Sequence, residues 1–173
     1  IGFMSKKLIE NNYLDQFGKL LDQHWKIKKK GANNMSIRKI IQVAKDYKKQ
    51  GANVIDLGCM PDTKFDHLED TIKALKCNGF KVSVDSANSE ELIRGANSGA
   101  DFILSVNEKN LHILDKVKSV PVVIPSKPGD LKSLERMIKK LEINNRSFFA
   151  DPILDPIHYG FSESIMRYIK LRK

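Results

Sequence analysis

The sequence lacks the features that mark secreted, disulfide-rich and membrane-spanning proteins. Its 173 residues include two cysteines, Cys59 and Cys77, and no Cys-x-x-Cys pair, so no disulfide framework is predicted. No apolar run approaches the roughly 18 to 20 residues that would span a bilayer. The first residues, IGFMSKKLIENN, lack the apolar core of a secretory signal. We therefore expect a protein of the reducing cytoplasm without a membrane partner, and the initial Ile indicates a chain incomplete at that end.

The chain also lacks the short motifs that bind nucleotides or metals. Neither G-x-G-x-x-G nor G-x-x-x-x-G-K-[ST] occurs. Cys59, His67, His112 and His158 do not have the spacing of a ligand set, so no metal site is predicted. Cys59 has no obvious partner histidine, which argues against a nucleophilic thiol.

Positive charge is concentrated at one end of the sequence. Of the net charge of +9, residues 1–50 carry +8, from 12 Lys and Arg against 4 Asp and Glu. A nucleic-acid surface would explain such a basic segment, but the segment has no RNA-binding motif and few aromatic residues. We interpret it as the solvated face of a helix and expect no nucleic-acid partner.

Two amphipathic helices are predicted before the first strand. Apolar residues recur at helical spacing from Tyr13 to Ile27, followed by KKK and Gly31, so residues 1–32 form a basic helical head. Ser36 can cap a second helix that ends at Gly51.

From residue 50 onward, short apolar strands alternate with helical stretches. The strands are near-continuous apolar runs, which is typical of strands covered on both faces in a parallel sheet with helical crossovers. Residues 33–173 are therefore predicted to be an α/β domain, a partial (β/α)8 barrel with about five parallel strands; an open doubly wound sheet is the alternative. The strand segments are QGANVIDLG (50–58), NGFKVSVDS (78–86), SGADFILSV (98–106), VPVVIPS (120–126) and SFFADPIL (147–154), and the helical stretches are 64–77, 88–98, 108–118, 129–143 and 162–171.

Polar residues gather where these strands end, which is where parallel barrels place their sites. A single Asp there is more often a cap or turn residue than a functional group, and Ser86, Ser126 and Asp155 have this simpler interpretation. Acidic or amide groups at successive strand ends instead favour a shared site for a flat heterocycle rich in N–H donors. The candidates are Asp56, Asp85, Asn107 and Asp151, with Ser126, Asp155 and His158 as secondary members.

Five segments in order resemble the pterin-binding barrels of the dihydropteroate synthase group: GANVIDLGCMP, KVSVDS, GADFILSVNE, PVVIPS and ADPILDPIHYGF. The likeness to dihydropteroate synthase-related proteins is strongest in the Asp-Pro-Ile-Leu-Asp-Pro segment. The resemblance implies that Asp85 and Asn107 contact a pterin and that Asp151 binds its pyrimidine edge. Asp56 matches an acidic position that lines the same site.

The resemblance also implies a transferase reaction of folate or methanopterin biosynthesis. A reduced pterin carrying a methyl diphosphate would lose diphosphate, with Mg²⁺ assisting, and an arylamine would take its place. A full barrel has eight strands in about 250 residues, and the family's basic catalytic residues lie in its last two strands, so no catalytic residue is assigned. The alternatives are a non-catalytic or truncated barrel completed by a second copy or a partner chain, and a methyl-tetrahydropterin-binding methyltransferase domain.

The basic head resembles a different family. The segment NYLDQFGKLLDQHWKIKKKGANNMS is similar to a late helix of GHMP-type sugar kinases, especially the heptose phosphate kinase branch. This resemblance implies a junction near GANNMS; a plain N-terminal helix of a barrel protein is the alternative.

Overall fold

The structure is a computed structural model that describes residues 36–172. The predicted head helix and most of the GANNMS junction lie outside the described residues. The sheet lies wholly within residues 41–173, which form one compact unit.

Strands and helices alternate along the described chain, as the sequence predicts. The strands are β1 (Val54–Gly58), β2 (Lys81–Asp85), β3 (Phe102–Val106), β4 (Val120–Val123) and β5 (Phe149–Ala150). The helices are α1 (Ile37–Lys49), α2 (Leu68–Cys77), α3 (Ser89–Asn97), α4 (Leu131–Ile143) and α5 (Phe161–Leu171), with a 3₁₀ helix, η1 (Leu111–Lys116), between β3 and β4.

The five strands form one parallel sheet in the order β1-β2-β3-β4-β5. Each crossover joins neighbouring strands, and right-handed crossovers in one direction place the connecting helices on the same side of the sheet. An open doubly wound sheet would reverse direction and carry helices on both sides. The structure therefore confirms the partial (β/α)8 barrel.

The hydrophobic core lies between the sheet and its crossover helices. Side chains that alternate along β1 and β2, such as Ile55 and Val84, are buried there. The helices contribute a complementary set of fully buried residues: Leu68, Ile72, Leu75, Leu92, Leu134 and Met137. We call this the helix-facing side of the sheet and the opposite side the inner face.

Coverage on both faces, which the apolar runs predicted, does not hold for β1. Exposure alternates strictly along this strand, and Val54 and Asp56 on its inner face are exposed while Ile55 and Leu57 are buried. Phe149 on the inner face of β5 is 58% exposed. Within residues 36–172, the sheet is thus packed chiefly on its helix-facing side.

The crossover between β3 and β4 differs from the helix predicted over 108–118. Two asparagines use the first part of this segment for turns: Asn110 Oδ1 accepts from Asn107 N at 2.7 Å, and Asn107 Oδ1 accepts from Lys109 N at 3.0 Å. Asparagine side chains compete with helical backbone bonds in this way. Only the short 3₁₀ helix η1 remains.

Candidate functional site

Two aspartates and two serines form two neighbouring hydrogen-bonded pairs across β1, β2 and β3. Asp56 pairs in register with Ser83, whose hydroxyl donates to Asp56 Oδ1 at 2.5 Å. Asp85 lies two residues further along β2, on the same face, and its Oδ1 accepts from the Ser105 hydroxyl at 2.6 Å. We call Asp56, Ser83, Asp85 and Ser105 the carboxylate cluster; it unites two of the predicted site residues.

The cluster is electrostatically unfavourable to Asp56. Although the residue as a whole is exposed, partial burial of its carboxyl group raises the pKa of Asp56; the Ser83 hydrogen bond opposes that rise, and the charge of Asp85 adds to it. A carboxylate perturbed by burial and by a like charge is a candidate for a binding or catalytic site.

Ser105 reaches Asp85 because β3 is distorted at that point. Ser105 has a left-handed backbone with φ of 62°, and the pairing of β3 with β4 shifts register between Ile103 and Val106. Bulges of this kind redirect side chains next to functional sites. The sequence placed Ser105 at the end of a strand but gave no sign of this contact.

Asn107 bonds backbone groups of its own loop, while Ser126 bonds a side chain of the loop that follows β3. Besides its turn bond, Asn107 makes one weak contact, from Nδ2 to Ser105 O at 3.5 Å. The Ser126 hydroxyl donates to Glu108 Oε2 at 3.0 Å, beside the bidentate pair between Glu108 and Arg136. A pterin contact by Asn107 and the turn interpretation of Ser126 both stay predictions.

Asp151 directly follows β5 and is anchored through one carboxylate oxygen. Its Oδ1 accepts from the backbone N of Ile153 at 2.8 Å and from the Tyr168 hydroxyl at 2.5 Å. Residue alternation places Asp151 on the same face as Phe149, which contacts Phe102 with ring centroids 5.9 Å apart. Asp151, the third acidic candidate, therefore lies at the end of β5, on the face that carries this aromatic pair.

The remaining secondary candidates lie in the segment after Asp151. Asp155 forms an ion pair with Arg167, from Nη2 to Oδ2 at 2.5 Å, while His158 is exposed and has a left-handed backbone with φ of 72°. Sequence reasoning treated Arg167 and Tyr168 only as members of a helix. No local motif reveals their role, since each reaches its partner across more than ten residues of chain.

A cavity of about 560 Å³ opens between the β1–α2 and β2–α3 loops. Glu91 joins these loops: its carboxylate accepts from Phe65 N at 3.2 Å and from the Ser86 hydroxyl at 2.7 Å. Burial and the nearby Glu91 charge raise the pKa of the Cys59 thiol, on the cavity wall, to about 12. A thiol with so high a pKa is protonated at neutral pH.

Within residues 36–172, no group of three or more His, Cys, Asp and Glu side chains is arranged to hold a metal ion. None of the helices in this range combines the length and hydropathy needed to cross a bilayer.

Comparison with known proteins shows which solved structures share this fold. No protein-family model matches the chain. The dihydropteroate synthase of Vibrio fischeri superimposes with a TM-score of 0.64 at 14% identity, covering 82% of this chain and 67% of the enzyme. The Yersinia pestis enzyme, solved with a pterin–sulfa conjugate, gives a TM-score of 0.56 at 19% identity over 81% of this chain and 62% of the enzyme. The chain shares the fold of dihydropteroate synthases.

A curated relative extends well beyond this chain. An uncharacterized protein of Methanocaldococcus jannaschii is 35% identical over a 147-residue alignment, which covers 73% of this chain and 28% of the relative. The chain thus spans less than a third of that protein and somewhat more than half of several synthases. The sugar-kinase resemblance of residues 1–32 gains no support from these comparisons.

Proposed function

We propose that this chain binds the pyrimidine edge of a reduced pterin on the inner face of the sheet, at the carboxylate cluster and Asp151. The observation that carries the proposal is a shared arrangement of three carboxylates. Asp56, Asp85 and Asp151 each accept hydrogen bonds through one carboxylate oxygen, and the other oxygen accepts none from the described residues. Pre-oriented acceptors with a vacant oxygen suit a ligand rich in N–H donors.

The apolar part of the inner face supports a flat ligand. Phe102 pairs in register with Ser83 of the cluster, and Phe149 follows across β4, so both rings share the face of the carboxylates. Aromatic rings bind planar heterocycles by offset or edge-to-face contact. A pterin needs both properties, since it carries polar edges on an apolar ring plane.

We further propose that the bound pterin is a substrate for C–N bond formation. The carbon–oxygen bond from the pterin 6-methylene to diphosphate breaks, an arylamine nitrogen bonds to that methylene, and the nitrogen loses a proton. Mg²⁺ would arrive with the diphosphate as part of the substrate. Lys64, which is exposed on the cavity wall with its Nζ 3.7 Å from Asp66 Oδ1, is our candidate for the cation that attracts the leaving group.

A pterin-binding module without transferase activity is the second candidate. The observation in its favour is the open sheet: among the described residues, β1 and β5 each have a strand neighbour on one side only. Such a module would need a further chain segment or a partner to complete a reaction site.

The first test is a thermal-unfolding titration with 6-hydroxymethyl-7,8-dihydropterin. Binding to the folded state raises the unfolding midpoint in a saturable manner. Because Asp85→Asn replaces a charged acceptor, we expect about tenfold or greater weakening. Asp115→Asn, an exposed aspartate of η1, is the matched control and should behave as wild type. A cooperative transition that the pterin does not shift would contradict pterin binding.

The transferase step is tested separately with the pterin diphosphate and 4-aminobenzoate. Release of diphosphate that requires both substrates supports the reaction. Pterin binding without release under the same conditions supports the non-catalytic module.

A further inference from the structure

We infer that Tyr168 is a positioning residue that makes the site selective for the amino-substituted edge of a pterin, acting through Asp151. The inference rests on the proposed pterin site and adds to it a residue outside the sheet. Tyr168 lies on α5, 17 positions after Asp151 in the sequence.

The contact leaves Asp151 with a defined orientation. Its Oδ1 accepts two hydrogen bonds, from the Tyr168 hydroxyl at 2.5 Å and from Ile153 N at 2.8 Å. Two donors converging on one oxygen fix the plane of the carboxylate. Oδ2 then presents one acceptor, aimed in a constant direction, to a ligand.

The segment that carries Asp151 is held by the same helix. Arg167, next to Tyr168, donates to Pro152 O at 3.2 Å, to Ile153 O at 2.9 Å and to Asp155 Oδ2 at 2.5 Å. Adjacent residues of α5 therefore fix both the backbone of the Asp-Pro segment and the side chain that opens it.

The backbone of Ile153 shows that this anchoring holds the segment in an unfavourable conformation. Its φ is 63°, a left-handed conformation that is rare for β-branched residues. Such conformations persist where the surroundings over-determine them, and they concentrate at ligand sites. Here the Asp151 carboxylate and the Arg167 guanidinium bind the two polar backbone atoms of Ile153 itself.

Tyr168 can only donate to Asp151, because its hydroxyl remains protonated. Burial and the Asp151 carboxylate raise the pKa of Tyr168 to about 12. The hydrogen bond therefore keeps the same direction throughout the physiological pH range.

A fixed acceptor should discriminate between ligand edges. Sites built to hydrogen-bond an N–H group reject analogues that lack it, because the acceptor is then left unpaired. A lumazine carries an oxygen in place of the pterin 2-amino group and so cannot donate from that position. A wild-type preference for 6-hydroxymethylpterin over 6-hydroxymethyllumazine is the signature of an oriented Asp151.

The experiment measures the dissociation constants of both ligands by calorimetry on the full chain. Tyr168→Phe keeps the ring and removes the donor, and we expect about tenfold weaker pterin binding with lumazine binding little changed. In an Asp151→Asn background the same substitution should have no further effect, since the pair acts as a unit. Tyr47→Phe, on α1, is the matched control and should retain the wild-type preference.

Several outcomes would overturn the inference. Equal weakening of both ligands by Tyr168→Phe would mean a purely structural role, and an unchanged preference would mean no role. If Tyr168→Phe lacks a cooperative melt, Asp151→Asn decides: an unaltered preference in that variant rules out selection through Asp151.

The proposed function and this inference fail in different ways. Absence of pterin binding in the wild type overturns both. Suppose instead that the wild type binds the pterin and that Asp85→Asn abolishes this binding. If Tyr168→Phe then keeps the preference for the pterin over the lumazine, only the positioning role is overturned.

Discussion

At the residue scale, the carboxylate cluster holds two like charges together at a cost in stability. Asp56 is held beside Asp85 and partly removed from water, with one serine hydroxyl as its described partner. A fold under selection for stability alone has no reason to keep two like charges there. The cost is understandable if both carboxylates accept hydrogen bonds from a ligand.

Asp56→Asn should stabilise the protein at neutral pH while weakening pterin binding. The asparagine keeps an Oδ1 that can accept from Ser83, and it removes the repulsion with Asp85. The pKa of Asp56 is raised on folding, so the folded state binds a proton more tightly, and stability is lost as pH rises from about 4. The variant does not lose this stability as the pH rises. Its free energy of unfolding at neutral pH should exceed that of the wild type by at most about 1 kcal/mol, because solvent screens the group.

Urea unfolding at pH 4 and pH 7 checks this prediction. The difference in the free energy of unfolding between Asp56→Asn and wild type should be larger at pH 7 than at pH 4. Asp115→Asn should show no such increase. A variant less stable than wild type at pH 7 would show that the Asp56 charge is stabilising, contrary to the pKa shift.

The positions of the three acidic candidates near strand ends could be predicted from the sequence, and the residues that hold their carboxylates could not. Asp56, Asp85 and Asp151 stand in or directly after apolar runs, where parallel sheets bring side chains together. Ser105 contacts Asp85 through a backbone distortion, and Tyr168 reaches Asp151 from a distant helix. Neither depends on local spacing, so neither leaves a pattern in a single sequence.

At the element scale, the contact between α3 and β2 depends on one glycine. A Cβ placed on Gly95 would lie 2.8 Å from Val84 Cγ2 and 3.2 Å from Val84 Cβ. Val84 is fully buried and directly precedes Asp85. The absence of a side chain at Gly95 therefore lets α3 approach the strand that carries half of the carboxylate cluster.

Gly95→Ala should destabilise the protein by about 1 kcal/mol. Overpacking a buried contact lowers the free energy of unfolding by about 1–3 kcal/mol. Replacing a helical glycine by alanine raises it by about 1 kcal/mol, because alanine has the higher helix propensity. Val84→Ala in the same chain makes room for the new methyl group, so the double variant should lose less than the sum of the single losses. Urea unfolding of the four proteins gives this coupling; strict additivity would mean that the two side chains do not compete for space.

The positions of the crossover helices were predictable because caps and periodicity are local. Asn88 caps α3 by accepting from Glu90 N at 2.8 Å, and Asp130 caps α4 by accepting from Ser133 N at 3.2 Å. The segment between β3 and β4 was less predictable, since its asparagines bind nearby backbone groups that a helix would have used.

At the scale of the whole molecule, the described sheet has open surfaces that a closed barrel would cover. Parallel sheets are almost always buried on both faces. Among the described residues, Phe149 and Val54 of the inner face are 58% and 37% exposed, and β1 and β5 have free edges. Helix α5 adds exposed apolar side chains, with Met166 at 52% and Ile169 at 46%.

The sequence predicted parallel strands and a one-way winding, but not which faces would be covered. Apolar runs report that a strand can be buried on both sides, and whether it is buried depends on elements elsewhere. The alternating exposure of Val54, Ile55 and Asp56 in β1 is therefore a property of the assembled sheet.

We expect the purified chain to associate, because exposed edges and apolar faces favour pairing with another chain. Sedimentation equilibrium should give a mass above 19.7 kDa that rises with concentration. Phe149→Lys places a charge on the exposed inner face and should shift the mass toward the monomer, whereas Tyr47→Lys, at a similarly exposed position on α1, should not. If the wild type is a monomer at every concentration and also melts cooperatively, this chain covers its own sheet. The non-catalytic alternative would then have no exposed surface that requires a partner.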